Sequence, residues 1–372
     1  MGNRLRTFAA AIIMIVLALC LCSIAAASEQ VVVHNDKLYV TCKGDNSIQV
    51  INLSAGAVDR MIPAGSQPYL MALSPDGSRA LVVNYDSGTV SVVDTVNDSV
   101  INTFNVELGP TGVAISGDNA LAFVSNAYSF CLSIYNVATG DRIVTVPVSH
   151  PAGIAVGRDG LAYAVNPGGN SLLIIDPSTG LISATIPTVD SNNGIVFVNE
   201  SMALLSSTTD GNVSFFDTTT RRVTDMVPSG NGPSGIAVSP DRQTAYVSNM
   251  NGNTVAVLDL AARAIRGTIP VGKMPAGIAV SDDGRYVYVA NSGGESVSVI
   301  DAATLKVDRT IATGKTPYGV VYVTSTSLVD VQPSLPSLIG GSGTNLLDFG
   351  LIGLVLLIVA IAGLVSYRRI RR

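Results

Sequence analysis

Between residues 29 and 325 the apolar positions fall into short alternating runs, and no stretch carries a helical stripe. The clearest run is written PSGIAVSPD from Pro233, PAGIAVSDDG from Pro275 and PAGIAVGRDG from Pro151, with weaker copies from Pro68, Pro110, Asn192 and Pro317. These seven copies stand 41 or 42 residues apart. A period this constant marks one supersecondary unit whose neighbours bury each other's apolar faces. Each unit holds four strand-like runs. The first ends in a Ser-Pro-Asp-Gly type of turn, as a tight type I turn requires. The second ends in Asn, the third in Asp, and the fourth runs into Pro or Gly, as in ISATIP and IRGTIPVG. The pattern predicts an all-β fold, a seven-bladed β-propeller of four-stranded blades.

The second run closes on Asn84, Asn126, Asn166, Asn249 and Asn291, with Cys42 and Ser207 at the same place in two degenerate units. These asparagines are expected to satisfy turn amides. The third run closes on Asp94, Asp176, Asp217, Asp259 and Asp301, and on Asn52 and Asn136 in the other two units. Because Asn keeps the hydrogen bonds of Asp without its charge, these acids read as turn caps rather than as a catalytic set. Residues 39–42 read YVTC and residues 246–249 read YVSN. With every unit built on such words, the chain over roughly residues 31–324 resembles the YVTN family of β-propeller repeats. The resemblance implies the propeller fold. For function it implies a range: archaeal cell-surface proteins, periplasmic proteins, and scaffolds of lactonases and of haem or quinone enzymes. Fold does not fix function.

The ends carry a different hydropathy. Residues 1–28 present Arg4 and Arg6, an apolar run from Phe8 to Ile24, and Ala25-Ala26-Ala27. That is the order of a secretory signal peptide, with an uncleaved anchor as the alternative. Cys20 and Cys22 lack the small preceding residue of a lipidated cysteine. The propeller is assigned to residues 29–324 and a Ser/Gly/Pro-rich linker to 325–345. As a coil that linker averages about 25 Å end to end. Residues 346–367 form an apolar span long enough for a transmembrane helix. Residues 368–372 add four arginines, a basic tail expected on the cytoplasmic side. The expected location is the cell membrane, single-pass, with the propeller extracellular. A sorting signal clipped after export would carry a similar tail, and the span can be read that way too.

Composition narrows the partners. Setting aside Arg4, Arg6, the four terminal arginines and Asp348 leaves 16 basic and 26 acidic residues, a net charge of −10. That argues against nucleic acid and against anionic lipid as surface partners. The exported part holds two cysteines, Cys42 and Cys131, on the first and third units, where a ring keeps them apart; they read as free, buried thiols. Four N-x-S/T sequons, at Asn52, Asn97, Asn199 and Asn212, are glycosylation candidates. GNGPSG at 230–235 and GTIPVGK at 267–273 mimic nucleotide loops, but each precedes a strand and no helix follows. No C-x-x-C-H, G-x-S-x-G or H-E-x-x-H occurs, and His34 and His150 are the two histidines. No cofactor is expected. Calcium stays open, since Asp and Asn recur at turns.

The last questions are closure and the binding face. The run at Pro317 has no further strands after it, whereas Lys37 to Pro63 supplies three without a clear first. Residues 317–323 are therefore expected to complete the N-terminal blade, with Val31–Val33 either competing for that slot or adding at its edge. If the first strand lines the channel, the turns before it and those between strands two and three share one face. That face would carry Tyr69, His150, Lys273 and Tyr318 from the first set. From the second it would carry Lys43, Asp45, Tyr85, Asp86, Tyr128, Asp210 and Glu295. Tyr69, Tyr85, Tyr128, His150, Tyr318, Asp86 and Glu295 are the candidate binding residues, suited to a glycan, a peptide or a cell-envelope protein. The leading expectation is a membrane-anchored extracellular module that binds or scaffolds without catalysis. The alternative is an exported lactonase or metal-dependent hydrolase with a carboxylate site at the channel mouth.

Overall fold

The computed structural model describes residues 29–188 and 192–331. The segments read as signal peptide, membrane span and basic tail, and all but 325–331 of the linker, lie outside these. Among the described residues no helix is long and apolar enough to cross a membrane, and the helical turns are two 3₁₀ segments, Lys43–Asp45 and Pro167–Gly169. Residues 33–327 form one compact unit; of the other, residues 1–32 and 328–372, the described parts are strand ends.

Seven four-stranded antiparallel sheets follow one another along the chain. Six are meanders whose first strand begins at Pro68, Pro110, Ile154, Asn192, Pro233 or Pro275. The seventh is composite. Its strand order is 317–331, then 29–42, 47–52 and 57–63, so the C-terminal strand completes the N-terminal blade as expected. Val31–Val33 neither compete for the inner slot nor form an edge strand. They are the start of the second strand, Glu29–Cys42, which is about twice the usual length. The inner strand Pro317–Val331 is long too, so residues 325–331 are strand rather than linker.

Apolar residues alternate along each strand, and both faces of each blade are covered. Seven buried clusters result, one for each pair of neighbouring blades. Leu38, Val40 and Ile51 of the composite blade meet Tyr288, Val297 and Val299, while Tyr39, Ile48 and Val50 meet Ala80, Val82 and Val93. Each such aliphatic side chain contributes about 1.5–3 kcal/mol when fully buried. The register between third and outer strands slips once in every blade, at Val50/Ile51, Val92/Val93, Ile134/Tyr135, Ile174/Ile175, Phe215/Phe216, Val257/Leu258 and Val299/Ile300. A bulge at one repeated place bends each outer strand alike.

Neighbouring inner strands approach so closely that side chains are excluded at one position. A Cβ on Gly153, Gly194, Gly235 or Gly319 would stand 2.5–2.9 Å from a backbone carbonyl of the next blade, respectively Asn193, Ser234, Ala276 and Tyr69. Gly112 and Gly277 face Ala152 and Tyr318 in the same way. Leu70 is the single exception. The hydroxyl of the preceding blade's second strand often seals the contact. Thr41 Oγ1 donates to Tyr69 O at 2.6 Å, Ser206 Oγ to Ser234 O at 2.7 Å and Ser248 Oγ to Ala276 O at 2.5 Å. Thr41 Oγ1 also accepts from Gly319 N at 2.7 Å. One hydroxyl thus ties together the C-terminal strand, the N-terminal strand and the next blade. At the same seam Lys43 N and Gly44 N donate to Thr316 O and Lys315 O at 3.1 Å, and Lys315 N to Asp45 Oδ2 at 2.7 Å.

Ending the chain at Thr316 removes that seam and leaves unpaired blade edges; aggregation or a large fall in melting temperature is expected by thermal scanning, and an unchanged Tm would show that the ring closes otherwise. Gly235→Ala should cost about 1–3 kcal/mol by overpacking. Gly117→Ala, where a Cβ meets nothing within 4 Å, should be close to neutral. Urea unfolding of the two variants checks the contrast.

Candidate functional site

The seven inner strands enclose a cavity of about 460 Å³. Its wall is the three residues centred on the glycine position of each blade, Leu70 in one of them, from Tyr69–Met71 round to Tyr318–Val320, joined at one end by Ala127, His150, Pro151, Pro167, Thr208 and Met250. These last residues belong to the turns, so the mouth opens on the expected face. The two sets of turns are bound to each other there, for example by Tyr85 N to Gln67 O and Ala127 N to Gly109 O, both at 2.9 Å. The described lining contains no Asp, Glu, Lys or Arg; its polar groups are Thr111, Asn193, Thr208, Ser234, the two tyrosines and His150.

Four of the expected tyrosines come together on one side of the mouth. Tyr69 and Tyr318 stack with centroids 4.2 Å apart and hydroxyls 2.7 Å apart. Tyr85 lies 5.8 Å from Tyr69, and Tyr128 lies 5.4 Å from Tyr85. Lys43 places Nζ over both inner rings, 4.6 Å from Tyr69 and 4.9 Å from Tyr318, within cation–π range. Burial lowers the Lys43 pKa, opposed by the charge of Asp86. Burial, then the neighbouring Tyr318, pushes Tyr69 well above the usual tyrosine range. Burial and the hydrogen bond with Tyr128 push Tyr85 up to about 12.

The remaining candidates are distributed differently. His150 is exposed and pairs with Phe130, centroids 6.3 Å apart. Asp86 accepts from Gln67 Nε2 at 2.6 Å, and Asp210 from Ser207 Oγ at 2.9 Å. Glu295 is exposed in the turn before strand 296–301, in the blade from Pro275, which contributes none of the four tyrosines. Tyr69 and Tyr318 are inner-strand residues that stack between the composite blade and the blade from Pro68, so they are not loop residues independent of the fold. Phe130 and Leu108, 60% and 65% exposed beside Tyr128 in sequence and turn, complete the face and were not expected. Their signal was a Phe where five sister units have Gly or Asn.

The asparagines that close the second strands do more than cap turns. Asn84 Nδ2 donates to Thr89 and Ser91 of the third strand at 3.0 and 2.9 Å, and Asn291 Nδ2 to Ser296 and Ser298 at 3.1 and 2.9 Å. They are buried cross-strand clamps; Asn166 also takes a turn amide, His150 N, at 3.0 Å. In the composite blade the amide has moved across: Cys42 replaces Asn, and Gln49 of the third strand accepts from Gly314 N at 2.9 Å. In the blade from Pro110, Glu107 stands where four other units have Gly and receives Asn126, Ser133, Tyr135 and Arg142 at 2.6–3.1 Å. Burial raises the Glu107 pKa, but those hydrogen bonds outweigh it and hold the carboxyl below its ordinary value. The third-strand acids are turn caps as expected: Asp94 accepts from Val96 N and Asn97 N, and Asp301 from Ala303 N and Thr304 N, at 2.7–3.1 Å. Asn52 and Asn136 do the same.

Cys42 and Cys131 are free and buried, and burial pushes the Cys42 thiol up to about 12. Among the described residues no three His, Cys, Asp or Glu side chains gather closely enough to hold a metal ion. Of the sequons, Asn52 and Asn97 are exposed and Asn199 and Asn212 half-exposed.

Comparison with known proteins agrees with this architecture. The chain is 29% identical over 114 residues to antigen Lp49 of Leptospira interrogans, covering 27% of this chain and 25% of that protein. It is 25% identical over 158 residues to the PAN2 catalytic subunit of the PAN2-PAN3 deadenylation complex of Saccharomyces cerevisiae, covering 40% of this chain and 14% of that protein. The chain therefore spans a quarter or less of these curated relatives. Among solved structures, Kuenenia stuttgartiensis hydrazine synthase superposes with a TM-score of 0.62 at 19% identity, covering 71% of this chain and 95% of that one. A Desulfotomaculum acetoxidans protein of unknown function gives 0.68 at 17% identity, covering 77% and 98%. The dihydro-heme d1 dehydrogenase NirN gives 0.59 at 15%, covering 74% and 63%. At these identities the likeness is one of fold. A family model matches residues 2–327, and the chain belongs to the YNCE-like β-propellers.

Proposed function

We propose that this protein is an exported, membrane-anchored propeller whose tyrosine face binds a component of the cell envelope without turnover. The observation that carries the reading is the row Tyr318, Tyr69, Tyr85 and Tyr128 at the mouth of a channel whose described lining has no carboxylate. Rigid tyrosines present large contact area at little entropic cost and bring a polar tip, which suits recognition. A hydrolase with a carboxylate site at the channel mouth is the competing reading. Against it, Asp86 and Asp210 are occupied by Gln67 and Ser207, and Glu295 belongs to a blade that contributes none of the four tyrosines. Export and anchoring rest on the hydropathy and charge of residues 1–28 and 346–372.

Protease added to intact cells should remove the propeller and leave a small membrane-bound stub; a propeller protected until lysis contradicts the topology. Purified propeller should retain an envelope component, and Tyr128→Ala should weaken that retention about tenfold or more, as for an interface anchor, at unchanged Tm. Screened against lactone and ester substrates, the wild type should show no turnover. Turnover that disappears in Asp86→Ala or Glu295→Ala would replace this reading with the enzymatic one.

A further inference from the structure

The turn between second and third strands ends, in all seven blades, on a residue in the left-handed region. The φ angles are 52° at Asn46, 59° at Gly88, 51° at Phe130, 45° at Asn170, 73° at Gly211, 53° at Asn253 and 47° at Glu295. Gly and Asn tolerate that conformation, whereas a bulky side chain there is strained. Phe130 accepts the strain and gains no burial in return, since it remains 60% exposed. An exposed aromatic held against the local rule is a feature expected of function rather than stability. Its turn also presents Tyr128, itself 61% exposed. From there the rings continue through Tyr85 to Tyr69 and Tyr318. At the far end stands the Lys43 ammonium, over two rings and with no carboxylate within ion-pair distance among the described residues.

A ledge of ring faces ending in one cation has the form of a saccharide site with an acid subsite. Pyranose faces stack on exposed aromatics, and sugar hydroxyls both donate and accept, matching tyrosine hydroxyls and the Asp86–Gln67 pair. A carboxylate would supply Lys43 with the charged hydrogen-bond partner it lacks in the described structure. Acids on the same set of turns, Asp45, Asp86, Asp210 and Glu295, disfavour a densely charged chain such as a nucleic acid. Building on the binding role proposed above, we infer that this ledge takes an oligosaccharide carrying a single acidic sugar, with the carboxylate on Lys43 and the neighbouring rings on Tyr85, Tyr128 and Phe130.

The test is calorimetric titration of the propeller with sialyllactose, glucuronosyl-xylotriose and a galacturonate trimer, each beside its neutral counterpart, and with a thymidine oligonucleotide. At least one acidic sugar should bind about tenfold more tightly than its neutral partner, and Lys43→Gln should erase that difference. Phe130→Asn installs the residue that three sister turns use. It should weaken sugar binding while raising Tm by about 1–2 °C, a pairing that a purely structural Phe would not give. Absence of any acid preference, or a preference that survives Lys43→Gln, overturns the assignment, as does tighter binding of the oligonucleotide. Those outcomes leave the envelope-retention result standing on its own, so the two readings fail separately.

Discussion

Everything in this ring depends on how closely neighbouring inner strands approach. Six glycines face a carbonyl of the next blade at distances that leave no room for a Cβ. That approach draws seven blades around a narrow axis and lets a single hydroxyl, such as Ser248 or Thr41, reach two inner strands at once. It also sets the scale of the cavity, lined by the residues on either side of each glycine. The exception is Leu70, in the blade from Pro68.

Three residues of the repeating tetrapeptide have tasks of their own. The first, Tyr39, Phe123, Tyr163, Tyr246 or Tyr288, is buried between blades. The third, as Thr41, Ser206 or Ser248, carries the hydroxyl that bridges to the next inner strand, whereas the Ser125 hydroxyl is buried without a protein partner, and the fourth, Asn, clamps the third strand of its own blade. Blade number, strand order and the composite closure were legible in the sequence because they follow from period, alternation and a missing partner strand. The acid caps were legible too, because Asp and Asn exchange freely there. The function of the asparagines was not, since an Asn beside a turn looks the same whether it bonds the turn or reaches across the sheet. Nor was the length of the seam strands, which run on to Val331 through a Ser/Thr-rich segment that reads as linker.

The site was partly legible. The shared face followed from topology, and four tyrosines on it do meet. What sequence reasoning could not supply was the distinction between Tyr69 and Tyr318, which help close the ring, and Tyr128 with Phe130, which are exposed. That distinction matters for any test of the site, because replacing the first pair disturbs a contact between blades and replacing the second does not. The left-handed Phe130 was visible only as a departure from the repeat, and it needed the backbone angle to become an argument.

The most direct measurement of the central claim is native-state hydrogen exchange at two inner-strand amides with the same kind of partner. Gly235 N bonds to Ser248 Oγ at 2.9 Å inside a continuous part of the chain, and Gly319 N bonds to Thr41 Oγ1 at 2.7 Å at the seam where the two ends meet. If the glycine approach closes the ring uniformly, both amides exchange only by global opening, with one common free energy that tracks unfolding by urea. A Gly319 amide that exchanges at much lower free energy than Gly235 would mean that the seam opens by itself, and would contradict the account.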